Sequence, residues 1–77
     1  MKFTPEKIGE IVRTTRKSMG VSQKDLALTS GTGVRFIIEL EDGKPTCQLG
    51  KVLTVLQTLG IKIDLTLPSS VTAKGNG

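Results

Sequence analysis

At 77 residues, 36% of them apolar and only two aromatic, the chain has room for one small domain, and a core of that size is often completed by a partner chain. Eleven Lys and Arg against seven Asp and Glu leave a formal charge of +4, which suits a polyanionic partner. With no histidine and a single cysteine, Cys47, an internal disulfide, a thiol-rich metal site and any nucleophile–base arrangement are excluded, so neither an enzyme nor a cofactor is expected. No apolar run approaches the roughly 18 residues of a membrane span and no signal-peptide core is present, so the expectation is a cytoplasmic protein with no membrane association.

In chain order, Met1 to Phe3 read as a lead-in. Thr4-Pro5-Glu6 then places a cap, a proline at the first helical position and an acid in the first turn, which predicts a helix start. Ile8, Ile11, Val12 and Met19, with Thr15 between them, keep helical spacing and are expected to face inward, while Lys7, Glu10, Arg13 and Lys17 face water. Gly20 ends that helix. From Ile11 to Lys24 the ionisable side chains Arg13, Arg16, Lys17 and Lys24 precede the first acid, Asp25, so the approach to the next element is locally positive.

Ser22 to Gly43 predicts two short helices joined by a tight turn. Ser22 is a good N-cap, Asp25 adds a negative charge in the first turn, and Gly31 supplies the left-handed backbone at which the first of the pair stops near Ser30. Ile37 and Leu40 give the second one buried stripe, and Asp42-Gly43 ends it. Two such helices crossing over the small Ala27 make a helix-turn-helix.

Gln23, Leu26-Ala27, Gly31, Ile37, Leu40-Glu41 and Gly43-Lys44 together resemble the helix-turn-helix of the Cro/CI (XRE) family of bacterial and phage DNA-binding proteins. The resemblance implies an all-α, four to five helix lambda-repressor-like domain bound to double-stranded operator DNA. It also implies a pair between Arg16 and Glu41, where a carboxylate near a helix C-terminus needs a cation to offset the dipole. Gln23 and Lys24 are then phosphate contacts at the start of the second helix, and Thr32, Gly33, Val34, Arg35 and Ile38 form the presented face. Arg35 suits guanine O6 and N7, and Val34 and Ile38 suit thymine methyl groups. Phe36 and Ile38 remain open between DNA, core and partner. Gly33 is a weak cap for the recognition helix, and Thr32 fills a turn position more often apolar.

After Gly43-Lys44-Pro45, Thr46 is expected to cap a fourth helix whose inner face is Leu49, Val52, Leu53, Leu56 and Leu59, with Gly60 as its stop. Lys44 and Thr46 then become further phosphate candidates at its N-terminus, and Cys47 has no chemistry. From Ile61 the period falls to two. Ile61, Ile63, Leu65 and Leu67 alternate with Lys62, Asp64 and Thr66, which predicts a β-strand that Pro68 terminates. With no second strand in the chain, its mate is expected to be the same strand of another copy, giving a homodimer.

Four such helices followed by L-G-I-K-I-D-L resemble the HipB-type antitoxins. That resemblance covers residues 4–67, with 68–77 expected to be a flexible tail, and implies a repressor of its own operon with a HipA-type serine/threonine kinase toxin as partner. A solitary XRE-family repressor and a protein-interaction adaptor without DNA binding are the other readings.

Overall fold

In a computed structural model the described residues are 3–71. They form four helices, α1 Pro5–Ser18, α2 Gln23–Ser30, α3 Val34–Glu41 and α4 Leu49–Thr58. The fold is all-α.

The starts of the first two helices follow from local chemistry. Thr4 is extended and its hydroxyl accepts from the Lys7 backbone N–H at 3.0 Å, and Ser22 does the same for Asp25 at 3.0 Å. Each cap satisfies one of the N–H groups that a helix N-terminus otherwise leaves without a partner. At the other end of α2, Gly31 has φ 72°, a conformation that costs an L side chain energy, and this left-handed residue turns the chain into α3.

α3 packs on both α1 and α2, and α2 also packs on α4. The shared core is Val12 from α1, Leu26 and Ala27 from α2, Ile37 and Leu40 from α3, and Val52, Val55, Leu56 and Leu59 at the α4 end. Val12, Leu26, Ile37 and Val55 are the largest fully buried side chains, each contributing about 1.5 to 3 kcal/mol by burial. Gly9 lets α1 lie directly against the end of α3, since a Cβ there would run into the carbonyl oxygens of Leu40 and Glu41.

Several sequence expectations need correction. Met19 is exposed, and the inward face of α1 is instead Gly9, Val12 and Arg16. α4 begins at Leu49 with Gln48 as a cap that makes no side-chain hydrogen bond, so Thr46 lies in the preceding turn and caps nothing. The buried side of α4 is Val52, Val55 and Leu56, whereas Leu49 and Leu53 are exposed. The alternating segment forms no strand among the described residues. A ladder needs a second strand, and one chain supplies none. Ile61 packs against the core, while Ile63, Leu65 and Leu67 are exposed, Leu65 at 85%. Of the expected tail, Pro68 to Val71 close a turn through Val71 N–H to the Pro68 carbonyl at 3.0 Å, and residues 72–77, like 1–2, lie outside the described residues.

Candidate nucleic-acid interface

The candidate interface is braced at the end of α3, where Glu41 is completely buried as a side chain. Arg16 Nε donates to its Oε2 at 2.6 Å and Arg16 Nη2 to its Oε1 at 3.0 Å, a bidentate fork from α1 to α3. The remaining Arg16 nitrogen, Nη1, donates to the Val21 carbonyl at 2.8 Å, which ties the α1–α2 connection to the same guanidinium. Gln23 Nε2 adds a third donor to Glu41 Oε1 at 3.1 Å, and Arg13 Nε stands 3.7 Å from that oxygen. The expected Arg16–Glu41 pair is therefore present, at the centre of a larger network.

Burial alone pushes the Glu41 carboxyl up, but the hydrogen bonds from Arg16 and Gln23 and the charges of Arg16 and Arg13 outweigh it and hold the group below the usual carboxylate range. Arg16 is raised in turn, chiefly by its hydrogen bond to Glu41. No buried side-chain polar atom among the described residues lacks a partner. The network is closed, and such a closed network fixes one geometry between elements at little net gain in stability.

Because its inner residues are held this way, α3 turns a defined outer face to solvent. Val34 and Ile38 are each 40% exposed, and Arg35 is almost fully so, with its Nε 3.6 Å from Glu39 Oε2. Lys44, in the turn after α3, approaches the same Glu39 oxygen at 3.3 Å. Gly33 caps α3 with backbone alone and is exposed. Thr32 is half-buried, and its hydroxyl hydrogen-bonds that of Ser30 at 2.9 Å while Ser30 donates to the Leu26 carbonyl at 2.7 Å, so Thr32 closes the turn. Lys24 is exposed in the first turn of α2; Gln23 beside it gives one of its two amide hydrogens to Glu41. Thr46 is exposed in the turn that precedes Gln48, the cap of α4.

Phe36 is half-buried against the core, with the Lys51 ammonium of α4 5.8 Å from its ring centroid. This places Phe36 on the core side of the three alternatives. It also brings Lys51 next to α3, a cation that the apolar periodicity of α4 does not reveal. Gly9 and Glu39 are hidden in the sequence as well. A glycine inside a helix gives no periodic signal, and an acid on a basic face carries no motif.

The residues expected for pairing between copies lie elsewhere. Ile63, Leu65 and Leu67 are exposed, as are Leu49 and Leu53 of α4. Among the described residues no helix is long and apolar enough to cross a membrane.

No family model matches the chain. The uncharacterized HTH-type transcriptional regulator y4mF of Sinorhizobium fredii is 55% identical to it over 65 residues, which cover 84% of this chain and 86% of that one. Among solved structures, a HipB-O4 20mer complex aligns with a TM-score of 0.77 at 21% identity, over 86% of this chain and 93% of the other. A HipA-HipB-O2-O3 complex gives the same TM-score, identity and coverage. The clp gene regulator ClgR from C. glutamicum aligns with a TM-score of 0.68 at 26% identity, over 80% of each chain. The HipB structures share the fold, y4mF shares more than half of the aligned residues, and α2 and α3 form the motif itself: the chain belongs to the HTH-type transcriptional regulators.

Proposed function

We propose that the protein is a dimeric, sequence-specific repressor that lays α3 in the major groove of an operator. The observation that carries this reading is the division of α3 into a side locked by the Arg16–Glu41–Gln23 network and a side exposing Val34, Arg35 and Ile38. A rigid scaffold with an exposed short helix is what groove reading requires. Arg35 reads a guanine edge, Val34 and Ile38 touch thymine methyl groups, and Gly33 lets the backbone come close. Lys24 and Lys44 hold phosphates, Gln23 does so with its remaining amide hydrogen, and Thr32 and Thr46 flank them as minor contributors.

The second copy is held through Ile61, Ile63, Leu65 and Leu67. Ile63, Leu65 and Leu67 are exposed large apolar side chains, as are Leu49 and Leu53 of α4, and burial against a second copy would take them out of water. Pairing the segments antiparallel across a two-fold axis covers these side chains, satisfies the unpaired backbone groups and makes residues 4–67 one functional unit. It also sets two recognition helices about one turn of DNA apart, near 34 Å.

As to role, the HipA-HipB-O2-O3 complex with the same fold supports an antitoxin that represses its own operon and binds a HipA-type serine/threonine kinase toxin. The ClgR likeness supports a solitary repressor without a toxin. A gel-shift titration on the duplex upstream of the protein's own gene, with and without a co-expressed kinase from the adjacent reading frame, separates these. Tight binding sharpened by the kinase supports the antitoxin. Tight binding with no kinase effect supports the solitary regulator, and no preference over random duplex overturns both.

A further inference from the structure

Glu39 is an anion on the outer side of α3, where a carboxylate works against a polyanionic duplex. Its Oε2 lies 3.6 Å from Arg35 Nε and 3.3 Å from Lys44 Nζ, so one oxygen joins the base-reading candidate to a phosphate candidate in the following turn. The Glu39 side chain is 33% exposed against 92% for Arg35, so the guanidinium stands in solvent with this carboxylate as its neighbour. At about 100° per residue, Arg35 and Glu39 sit roughly 40° apart and one turn along the helix. Fork and carboxylate therefore share one edge of α3.

On a duplex that arrangement discriminates. Phosphates repel the carboxylate, and a duplex without a donor opposite it offers nothing in return, while Arg35 and Lys44 keep further N–H donors free to bind beside it. In the major groove the only favourable partner for a carboxylate is a base-edge donor, and cytosine N4 is the donor best matched to it. Guanine offers the acceptor pair that suits Arg35. Thymine in place of the cytosine would set its O4 acceptor against the carboxylate.

We propose that Glu39 is a specificity-determining residue of the recognition helix: it selects half-sites in which a cytosine N4 amine lies beside the guanine bound by Arg35, and it lowers affinity for all other duplex. This rests on α3 being the DNA-reading helix. Gln23, Lys24 and the Arg16–Glu41 network have no part in it, so Glu39 can be changed without touching the scaffold.

The test is selection of duplexes from a randomised pool by the wild-type protein, followed by titration of the winning duplex, its C→T variant and a random duplex. The wild type is expected to enrich guanine with a nearby cytosine and to lose about fivefold or more on the C→T variant. Glu39→Gln, whose amide both donates and accepts, should bind the two duplexes within about twofold and bind random duplex several-fold more tightly. Glu39→Asp keeps the charge but shortens the reach, so it should keep the weak random binding and lose the cytosine preference. Equal cytosine preference and equal random affinity in wild type and Glu39→Gln overturn the role of Glu39 while leaving α3 as the reader. A wild type that enriches no sequence removes the DNA-reading helix itself, and this role with it.

Discussion

The first three helices and the segment after α4 are built on opposite terms. In the former, Glu41 has every donor it needs from Arg16, Gln23 and Arg13 of the same chain, Gly9 lets α1 touch α3, and Val12, Leu26 and Ile37 close the core. In the latter, Ile63, Leu65 and Leu67 alternate along a segment with no strand partner among the described residues, and all three are exposed, as are Leu49 and Leu53 of α4. One region completes itself within a single chain and the other does not. On the function proposed above, the difference has a reason: a reading head must be rigid before it meets DNA, whereas a dimer contact is complete only when the second copy arrives.

The largest effect tests the unfinished region. Leu65 is 85% exposed in one chain, so covering it by pairing gains nearly the whole burial of a leucine, about 1.5 to 3 kcal/mol for each protomer. Leu65→Asp is therefore expected to weaken dimerisation by about 3 to 6 kcal/mol, a hundredfold or more in the dimer Kd, while monomer stability changes by no more than about 0.5 kcal/mol. Analytical ultracentrifugation across a concentration series reads the first quantity and chemical denaturation of the monomer the second. A variant that stays dimeric would move the contact off residues 61–67.

Breaking the self-contained region should cost stability within the monomer. Glu41→Ala leaves Arg16 buried without its acceptor, which typically costs about 3 to 5 kcal/mol. Acid should do the same more gradually. The folded Glu41 carboxyl is held below its unfolded value of about 4.3, so its contribution is whole above that pH and is lost as the pH falls through the depressed folded value. In urea melts from pH 7 to pH 2, Glu41→Gln should be less stable at neutral pH and lose less on acidification. Parallel curves for the two proteins would mean that the network does not act as a charged unit.

How far the sequence could be read also divides along this line. Caps and turns are decided within a few residues, so Thr4, Ser22 and Gly31 marked the bounds of α1 and α2 correctly. α4 is apolar at Leu49, Val52, Leu53, Val55, Leu56 and Leu59, and the packing of α2 against it, which no local pattern gives, goes with burial of Val52, Val55, Leu56 and Leu59 and exposure of Leu49 and Leu53. The exposed face of α3 was legible at Val34, Arg35 and Ile38 because the helix-turn-helix pattern numbers its own positions. Glu39 was not, because its meaning comes from Lys44 folding back to within 3.3 Å of it.

Gly9 offers a smaller break in the rigid region. Gly9→Ala pushes a methyl group against the Leu40 and Glu41 carbonyls, and overpacking of this kind costs about 1 to 3 kcal/mol. Helix propensity favours alanine by nearly 1 kcal/mol, so a melting temperature unchanged or raised in Gly9→Ala would show that α1 and α3 can part without loss.

The smallest effect separates what stabilises the reading head from what it reads with. Gly33 has φ −105° and ψ 156°, open to any residue, and nothing lies within 4 Å of where its Cβ would be. The fold does not require glycine here, and the cap of α3 goes without a side-chain acceptor because of it. Gly33→Ser supplies that acceptor and reduces the freedom of the unfolded chain, together worth about 0.5 to 1 kcal/mol. For a domain of this length that is a rise of roughly 2 to 8 °C in Tm, readable by calorimetry. If the glycine is there so that backbone can approach a duplex, the same substitution should weaken operator binding, and the two measurements will move in opposite directions. A serine variant that is both more stable and as tight on DNA would show that the start of α3 stays clear of the phosphates, leaving Lys24 and Lys44 to hold them.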